Sequence, residues 1–147
     1  MNEDEIINYI TGAFKDVETA TANGDTFFFN DPTQKFPFAT LVTSDFNDQF
    51  SNLNRPGVFR LNIGPDKATF QSLFGTPPPS KASDYEPIPG YDYTVLDEIL
   101  PHPVYGRMYW VCILNPGRET FEKNVKPLLA EAYNLSYGRY NRRKLHE

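Results

Sequence analysis

The sequence has little cysteine and no long hydrophobic run. Its 147 residues include a single cysteine, Cys112, which has no partner within the chain for a disulfide bond. A disulfide-stabilised fold and a zinc site built from several cysteines are therefore excluded, and a reducing compartment is expected. No segment approaches the roughly 18 apolar residues of a membrane-spanning helix, and the first residues lack the basic-then-apolar pattern of a signal peptide. We therefore expect a cytoplasmic protein with no membrane partner.

Positive charge is also scarce. The chain has 14 basic and 19 acidic residues and a formal net charge of −5, which argues against a general binder of nucleic acids or anionic membranes. The deficit is uneven, because residues 1–100 carry 6 basic and 15 acidic side chains, whereas residues 101–147 carry 8 and 4. An anionic partner would therefore meet the C-terminal third, where the net charge is +4.

Helix and strand patterns follow one another along the first half of the chain. Apolar residues recur at helical spacing over residues 2–14. Two β-prone runs, residues 17–22 and 26–30, flank Asn23-Gly24, a pair typical of a tight hairpin turn. The remaining predicted elements of this half are strands at 36–44 and 58–63, a polar loop at 45–57 and a short helix that ends at Gly75.

The second half is interrupted by a proline-rich segment at residues 76–93, which is predicted to be an extended surface arm. Residues 107–114 form the most apolar predicted strand. The last element keeps helical spacing but contains Pro127, so the helix either begins near Val125 or consists of two parts joined by a kink. The pattern predicts a single compact α+β domain over residues 1–147, with N- and C-terminal helices packed on an antiparallel sheet.

Signatures of catalysis are absent from the sequence. No glycine-rich phosphate loop follows a strand, and the two histidines are 44 positions apart. Cys112 lies in an apolar strand and is predicted to be a buried, inert thiol. We therefore predict no catalytic residue, no metal ligand and no cofactor, and a protein that is not an enzyme. The enzymatic alternative uses His102 as a general base, with Tyr105 or Arg107 stabilising charge.

Residues 102–110 hold the densest group of functional side-chain types. An imidazole, two phenols, a guanidinium and an indole lie on a proline-rigidified approach to a strand, an arrangement typical of recognition surfaces. If this strand neighbours the one at 58–63, polar side chains of both form one patch suited to a small anionic or ribose-like ligand. The candidate ligand-binding residues are Arg60, Asn62, His102, Tyr105, Arg107 and Tyr109. The alternative is an exposed sheet face with solvated charges.

These features favour a non-enzymatic module that binds a ligand or a protein partner through residues 102–110, as a monomer or a homodimer. The alternative is DNA or RNA binding through the basic end of the last helix, where two tyrosines are interleaved with basic groups. The residues of that alternative are Arg139, Arg142, Arg143 and Lys144. A simpler explanation of the same charges is that they offset the dipole of the last helix.

The C-terminal third resembles a known family. The strand RMYWVCIL, the turn NPG and the helix ending in LLAEAYNLSYGRYNRRK are similar to the closing half of MmcQ/YjbR-like bacterial domains, within residues 58–144. Trp110 matches the tryptophan of that strand, and Ala132-Tyr133 matches a helical pair whose first residue is usually serine. Across nearly the whole chain, KFPFATLVTSD, RPGVFRLNIG and HPVYGRMYWVCILNP resemble small bacterial proteins grouped as a domain of unknown function.

The YjbR resemblance implies a compact α+β fold like that of frataxin and, by analogy of fold, DNA binding. The chain departs from that family in its net acidic charge and its long proline-rich arm. Iron handling of the frataxin type would need an acidic ridge on the first helix and strand. The acidic side chains of that region do not converge, and they are predicted to form a solvated face: Glu3, Asp4, Glu5, Asp16 and Glu18.

Overall fold

The computed structural model describes residues 1–79 and 86–145, and the side chains up to residue 138. The helices are α1 (Glu3–Ala13), α2 (Lys67–Phe74), α3 (Arg118–Thr120) and α4 (Lys126–Leu145). The strands are β1 (Glu18–Ala22), β2 (Asp25–Phe29), β3 (Ala39–Val42), β4 (Arg60–Ile63), β5 (Leu100–Pro101) and β6 (Val111–Leu114). A 3₁₀ turn spans Gly106–Met108 and a π-helical turn spans Phe121–Val125.

Local sequence explains where the first elements begin and turn. Asn2 caps α1 by accepting a hydrogen bond from the Glu5 backbone N–H, and the Glu5 carboxylate accepts one in return from the Asn2 N–H. Asn23 and Gly24 both have positive φ, 56° and 82°, as a two-residue hairpin turn requires. The predicted hairpin between β1 and β2 is therefore confirmed, with Ala22 opposite Asp25.

The six strands form one open antiparallel sheet in the order β1-β2-β3-β4-β6-β5. One face of the sheet packs against the helices. Its strand residues include Leu61, Ile63 and Ile113, which share one apolar cluster with Ile6 of α1 and Leu129 of α4. The predicted α+β class, with terminal helices on an antiparallel sheet, is confirmed.

The other face of the sheet is covered by the loop at residues 45–57. Leu53 from this loop packs with Val42 and Leu114 in a second, smaller apolar cluster. The same face carries Arg60 and Asn62, whose exposed fractions are only 1% and 3%. The expectation that these two side chains form part of an exposed or ligand-accessible face is therefore wrong, because the loop covers them.

The strand predicted at residues 107–114 is shorter than expected. It begins at Val111, because a 3₁₀ turn precedes it and is followed by Tyr109 in the left-handed region, with φ of 72°. A residue with positive φ cannot continue an extended strand. Arg107 and Tyr109 therefore do not share a sheet face with Arg60 and Asn62, and the predicted four-residue patch is not formed.

The last helix has features of both predicted arrangements around Pro127: α4 begins at Lys126, next to Val125, and α3 and a π-helical turn precede it without a break. It runs as α3, then the π-helical turn, then α4, in which Pro127 is the second residue. Proline has no N–H and clashes with the carbonyl four residues earlier, so a locally widened turn before it removes a conflict that a regular helix would contain.

Residues 80–85 of the proline-rich segment lie outside the described residues. Its last described part packs closely against the sheet and helices: Ile88 belongs to the main apolar cluster, and Tyr93 is 8% exposed. The Tyr93 hydroxyl donates a 2.6 Å hydrogen bond to the Ile88 carbonyl. This end of the segment is therefore part of the packed fold.

Candidate functional site

A buried polar network lies between β4 and the loop at 45–57. The Arg60 guanidinium donates to both carboxylate oxygens of Asp48, at 3.1 and 2.7 Å. It also donates to the Ser51 hydroxyl at 2.8 Å and to the Asn62 side-chain oxygen at 2.9 Å. The Asn62 amide donates in turn to the Thr40 hydroxyl at 2.9 Å. The network therefore ties the loop to two neighbouring strands.

The network satisfies its own hydrogen-bonding groups. Burial raises the pKa of the Asp48 carboxyl, but the hydrogen bonds and positive charge of Arg60 outweigh it, and the pKa lies below the ordinary value. Among the described residues, no buried side-chain nitrogen or oxygen is without a hydrogen-bond partner. Arg60 therefore already has its anion, and each buried nitrogen and oxygen atom of this network has at least one partner within the protein.

His102 lies near this network but performs a different task. It is 3% exposed, and its Nδ1 accepts two hydrogen bonds of 3.0 Å, from the backbone N–H groups of Val104 and Tyr105. Nδ1 therefore carries no proton, and the neutral ring is protonated at Nε2. Burial, and then the charge of Arg60, lower the pKa of His102 to about 3, whereas Asp48 opposes this shift.

The imidazole of His102 holds the backbone of a compact turn. We call residues 102–110 the 102–110 turn. Its backbone is closed by hydrogen bonds from the N–H groups of Gly106 to His102, of Met108 to Tyr105 and of His102 to Trp110, at 2.9 Å each. The turn presents two large side chains to solvent: Tyr105 is 52% exposed and Met108 is 69% exposed. The Tyr105 ring lies 5.0 Å from the His102 ring, centroid to centroid.

The two other predicted residues of the turn point elsewhere. The Arg107 guanidinium donates to the backbone carbonyls of Pro78 and Glu86, so it links the two described parts of the proline-rich segment. The Tyr109 ring packs edge-on against Phe70 of α2, with 5.7 Å between centroids, and the Lys67 ammonium lies 5.6 Å above it. Of the six predicted residues, Arg60 and Asn62 belong to the buried network, and His102 interacts electrostatically with Arg60 and Asp48 of that network.

The two side chains that could take part in catalysis, Cys112 and His102, are poorly suited to it. Cys112 is fully buried, as predicted, and burial raises the pKa of its thiol to about 12. A pKa of about 3 makes His102 too weak a base near neutral pH, and two N–H groups already occupy Nδ1. The geometry therefore does not support the general-base hypothesis for His102.

One cavity of the structure lies away from the predicted residues. A cavity of about 360 Å³ lies between the first residues of α1 and the side chains of Phe59 and Asn115, and none of the six candidates lines it. Within residues 1–79 and 86–145, no group of three or more His, Cys, Asp or Glu side chains is arranged to hold a metal ion. Over the same part of the chain, no helix is long and apolar enough to cross a membrane.

The basic residues of the nucleic-acid alternative lie on the last turns of α4, which is helical to Leu145. The side chains of Arg139, Arg142, Arg143 and Lys144 are outside the described part of the structure. The alternative therefore stays a prediction.

Sequence reasoning missed Asp48, Ser51 and Met108. The loop at 45–57 also contains Asp45, and no spacing in the sequence selects Asp48 as the partner of Arg60. Alternation along β4 indicates that Arg60 faces away from the helices. A charged side chain on a covered face of the sheet needs an opposite charge beside it. The sequence pattern puts Met108 on a strand, whereas the structure has it in a turn that exposes it.

Comparison with known proteins gives one match. The model of a family described as a family of unknown function (DUF6194) covers residues 1–145. No curated protein and no solved structure matches the chain. The predicted membership of a domain-of-unknown-function family is confirmed, whereas bacterial origin and the YjbR resemblance stay predictions. The chain belongs to the family of unknown function DUF6194.

Proposed function

We propose that the protein is a non-enzymatic binding module whose 102–110 turn contacts a protein partner through Tyr105 and Met108. The observation that carries this proposal is the exposure of these two large side chains, 52% and 69%, on a backbone closed by internal hydrogen bonds. Aromatic and methionine side chains are enriched at protein interfaces. The cytoplasmic location stays part of this proposal.

The rigidity of the turn is a second feature that favours binding. His102 accepts hydrogen bonds from two backbone N–H groups inside the turn, and Arg107 attaches its outer side to the proline-rich segment. Ordering flexible side chains and loops opposes association, so a turn that is already ordered loses less entropy on binding. His102 and Arg107 are therefore positioning residues in this proposal, and Tyr105 and Met108 make the contacts.

A protein partner is favoured over a small anionic ligand because the cationic groups are occupied. Arg60 is buried against Asp48, and Arg107 donates to two backbone carbonyls. A thermal-shift screen with phosphate, nucleotides and carboxylates tests the small-ligand alternative. We expect no stabilisation. A stabilisation that disappears in Arg107→Ala would support the small-ligand alternative and contradict our proposal.

Site-specific photo-crosslinking tests the protein partner. A photoreactive residue replaces Tyr105 in one protein and Leu73, which is 48% exposed on α2, in a matched control. In lysate of the native host, we expect a discrete covalent adduct at position 105 and none at 73. Adding excess unlabelled protein should abolish the adduct, and adding excess Met108→Ser should not. Equal labelling at both positions, or no adduct at 105, would contradict the proposal.

A further inference from the structure

The two edges of the sheet differ in how they are protected from pairing with another strand. One edge is β5, which has only two residues and contains Pro101. The other edge is β1, which has five residues, Glu18–Ala22, and contains neither proline nor lysine. Short length, proline and charged side chains, above all lysine, are common ways in which proteins prevent pairing at an edge. Of these, β1 has only the charge of Glu18, its first residue.

The hairpin turn determines which backbone groups of β1 point outward. Ala22 and Asp25 flank the two-residue turn, so they exchange both of their backbone hydrogen bonds. Hydrogen-bonded residues alternate along an antiparallel pair, so Ala20 and Glu18 also bond inward to β2. The N–H and C=O groups of Thr19 and Thr21 therefore point away from the sheet.

The sequence of β1 is complementary to itself in one antiparallel register. We propose that β1 pairs with β1 of a second copy about a two-fold axis at Ala20, giving a homodimer with one continuous sheet. Thr19 then lies opposite Thr21 of the second copy, and their outward N–H and C=O groups bond in both directions. Glu18 lies opposite Ala22 of the second copy, so the two carboxylates stay apart.

Side-chain size and exposure fit this pairing. Four of the five β1 residues are exposed, and the fifth, Ala20, is half-buried. The side chains are alanines on one face and threonines on the other, apart from Glu18, so β1 itself presents only small side chains over most of its length to a second strand. Opposed threonines are also a favourable cross-strand pair. An isologous contact of this kind closes after two copies and does not extend into a fibre.

Disulfide crosslinking tests the register directly. In the proposed dimer the two Ala20 residues form a non-hydrogen-bonded pair, with Cβ atoms about 4.5–5.5 Å apart, within reach of a disulfide after a small shift. We expect oxidised Ala20→Cys to run as a covalent dimer on a non-reducing gel. The single native cysteine, Cys112, is buried and does not interfere.

Ala22→Cys is the matched control. Its two copies are offset by four residues along the strand, roughly 13 Å, so they should stay monomeric under the same oxidation. Equal crosslinking of both variants, or none by Ala20→Cys, would overturn the proposed register.

The native mass tests the dimer itself. Light scattering of the full chain should give twice the 16.8 kDa of one chain as concentration rises. Thr21→Pro should give 16.8 kDa, because it removes an outward N–H and leaves the bonds to β2 intact. Thr21→Val, which keeps that N–H, should remain dimeric. A wild-type mass of 16.8 kDa at every concentration, or a folded Thr21→Pro dimer, would overturn the proposal; circular dichroism verifies folding of each variant.

Discussion

Arg60 has the largest fully buried side chain described in the structure, and it is charged. It pairs with Asp48, and the side chains of Arg60 and Asp48 are only 2% and 7% exposed. Removing one partner of such a pair leaves an uncompensated charge in a poorly solvated site. Removing Arg60 therefore tests whether its contact with Asp48 attaches the loop at 45–57 to the sheet.

We expect Arg60→Met to lower the free energy of unfolding by about 3–5 kcal/mol, because Asp48 is left buried without its partner. Urea unfolding measures this. Arg118→Met is the matched control: Arg118 pairs with Glu5 at the surface, with exposed fractions of 73% and 36%, and its loss should change the free energy of unfolding far less. Equal losses for both variants would contradict a buried role for Arg60.

His102 predicts a specific dependence of stability on pH. Its pKa is 6.5 as a free side chain and about 3 in the folded protein. The unfolded chain therefore takes up a proton as the pH falls below about 6.5, whereas the folded protein does not until about pH 3. The free energy of unfolding therefore decreases as the pH is lowered through this window, because the proton bound by the unfolded state favours unfolding.

The test compares the wild-type protein with His102→Asn, whose side-chain oxygen can still accept the backbone hydrogen bonds. Between pH 7.5 and 5 the wild-type protein should lose about 2 kcal/mol more free energy of unfolding than the variant. Urea unfolding at several pH values measures both slopes, and His146 is present in both proteins. Parallel slopes would show that His102 titrates normally and is not buried as described.

At the scale of elements, β4 ends in close contact with the 102–110 turn. A Cβ atom added to Gly64 would lie 2.9 Å from two ring atoms of Trp110, closer than side chains tolerate. Glycine is therefore required here by close approach of the indole. Because the Trp110 carbonyl closes the backbone of the turn by accepting a hydrogen bond from the His102 N–H, this contact links the sheet to the proposed recognition surface.

We expect Gly64→Ala to destabilise the protein by about 1–3 kcal/mol, because the indole must move. Gly12→Ala is the matched control: it lies in α1 with nothing within 4 Å of the added methyl group, and it should stabilise by about 0.5–1 kcal/mol. Fluorescence of Trp110, the only tryptophan, should change in Gly64→Ala alone. An unchanged spectrum in Gly64→Ala would contradict the contact.

For the whole molecule, charge decides how the nucleic-acid alternative is tested. The net charge is −5, but the C-terminal third is positive. We expect retardation of duplex DNA in a gel to be weak at low salt and absent at roughly 150 mM salt, because few phosphate contacts are available to release counterions. Retardation that persists at that salt concentration would contradict this expectation.

The residues responsible can be tested in the same assay. The quadruple variant replaces the basic end of α4 with glutamine at Arg139, Arg142, Arg143 and Lys144. It should lose any retardation seen at low salt. If the quadruple variant binds as the wild-type protein does, the basic end of α4 is not the contact.

Local patterns in the sequence determined most of the elements. The Asn23-Gly24 turn, the cap of α1 and the alternation of Leu61 and Ile63 depend on neighbouring residues, so they are readable without the fold. The π-helical turn before Pro127 is not specified by the sequence, because proline chemistry disfavours a regular helix that continues through this residue but does not choose how the chain avoids the conflict.

Only the tertiary structure decided the candidate site. The exposure of Arg60 depends on the loop at 45–57. Asp48 of this loop precedes Arg60 by 12 residues in the sequence and pairs with it in the fold. Whether Arg107 and Tyr109 belong to a strand depends on the hydrogen bonds that His102 accepts within the turn. The sequence by itself determined which side chains alternate along each strand. Which of them meet, and which reach solvent, was decided by contacts between segments, and these are set by packing and charge pairing in space.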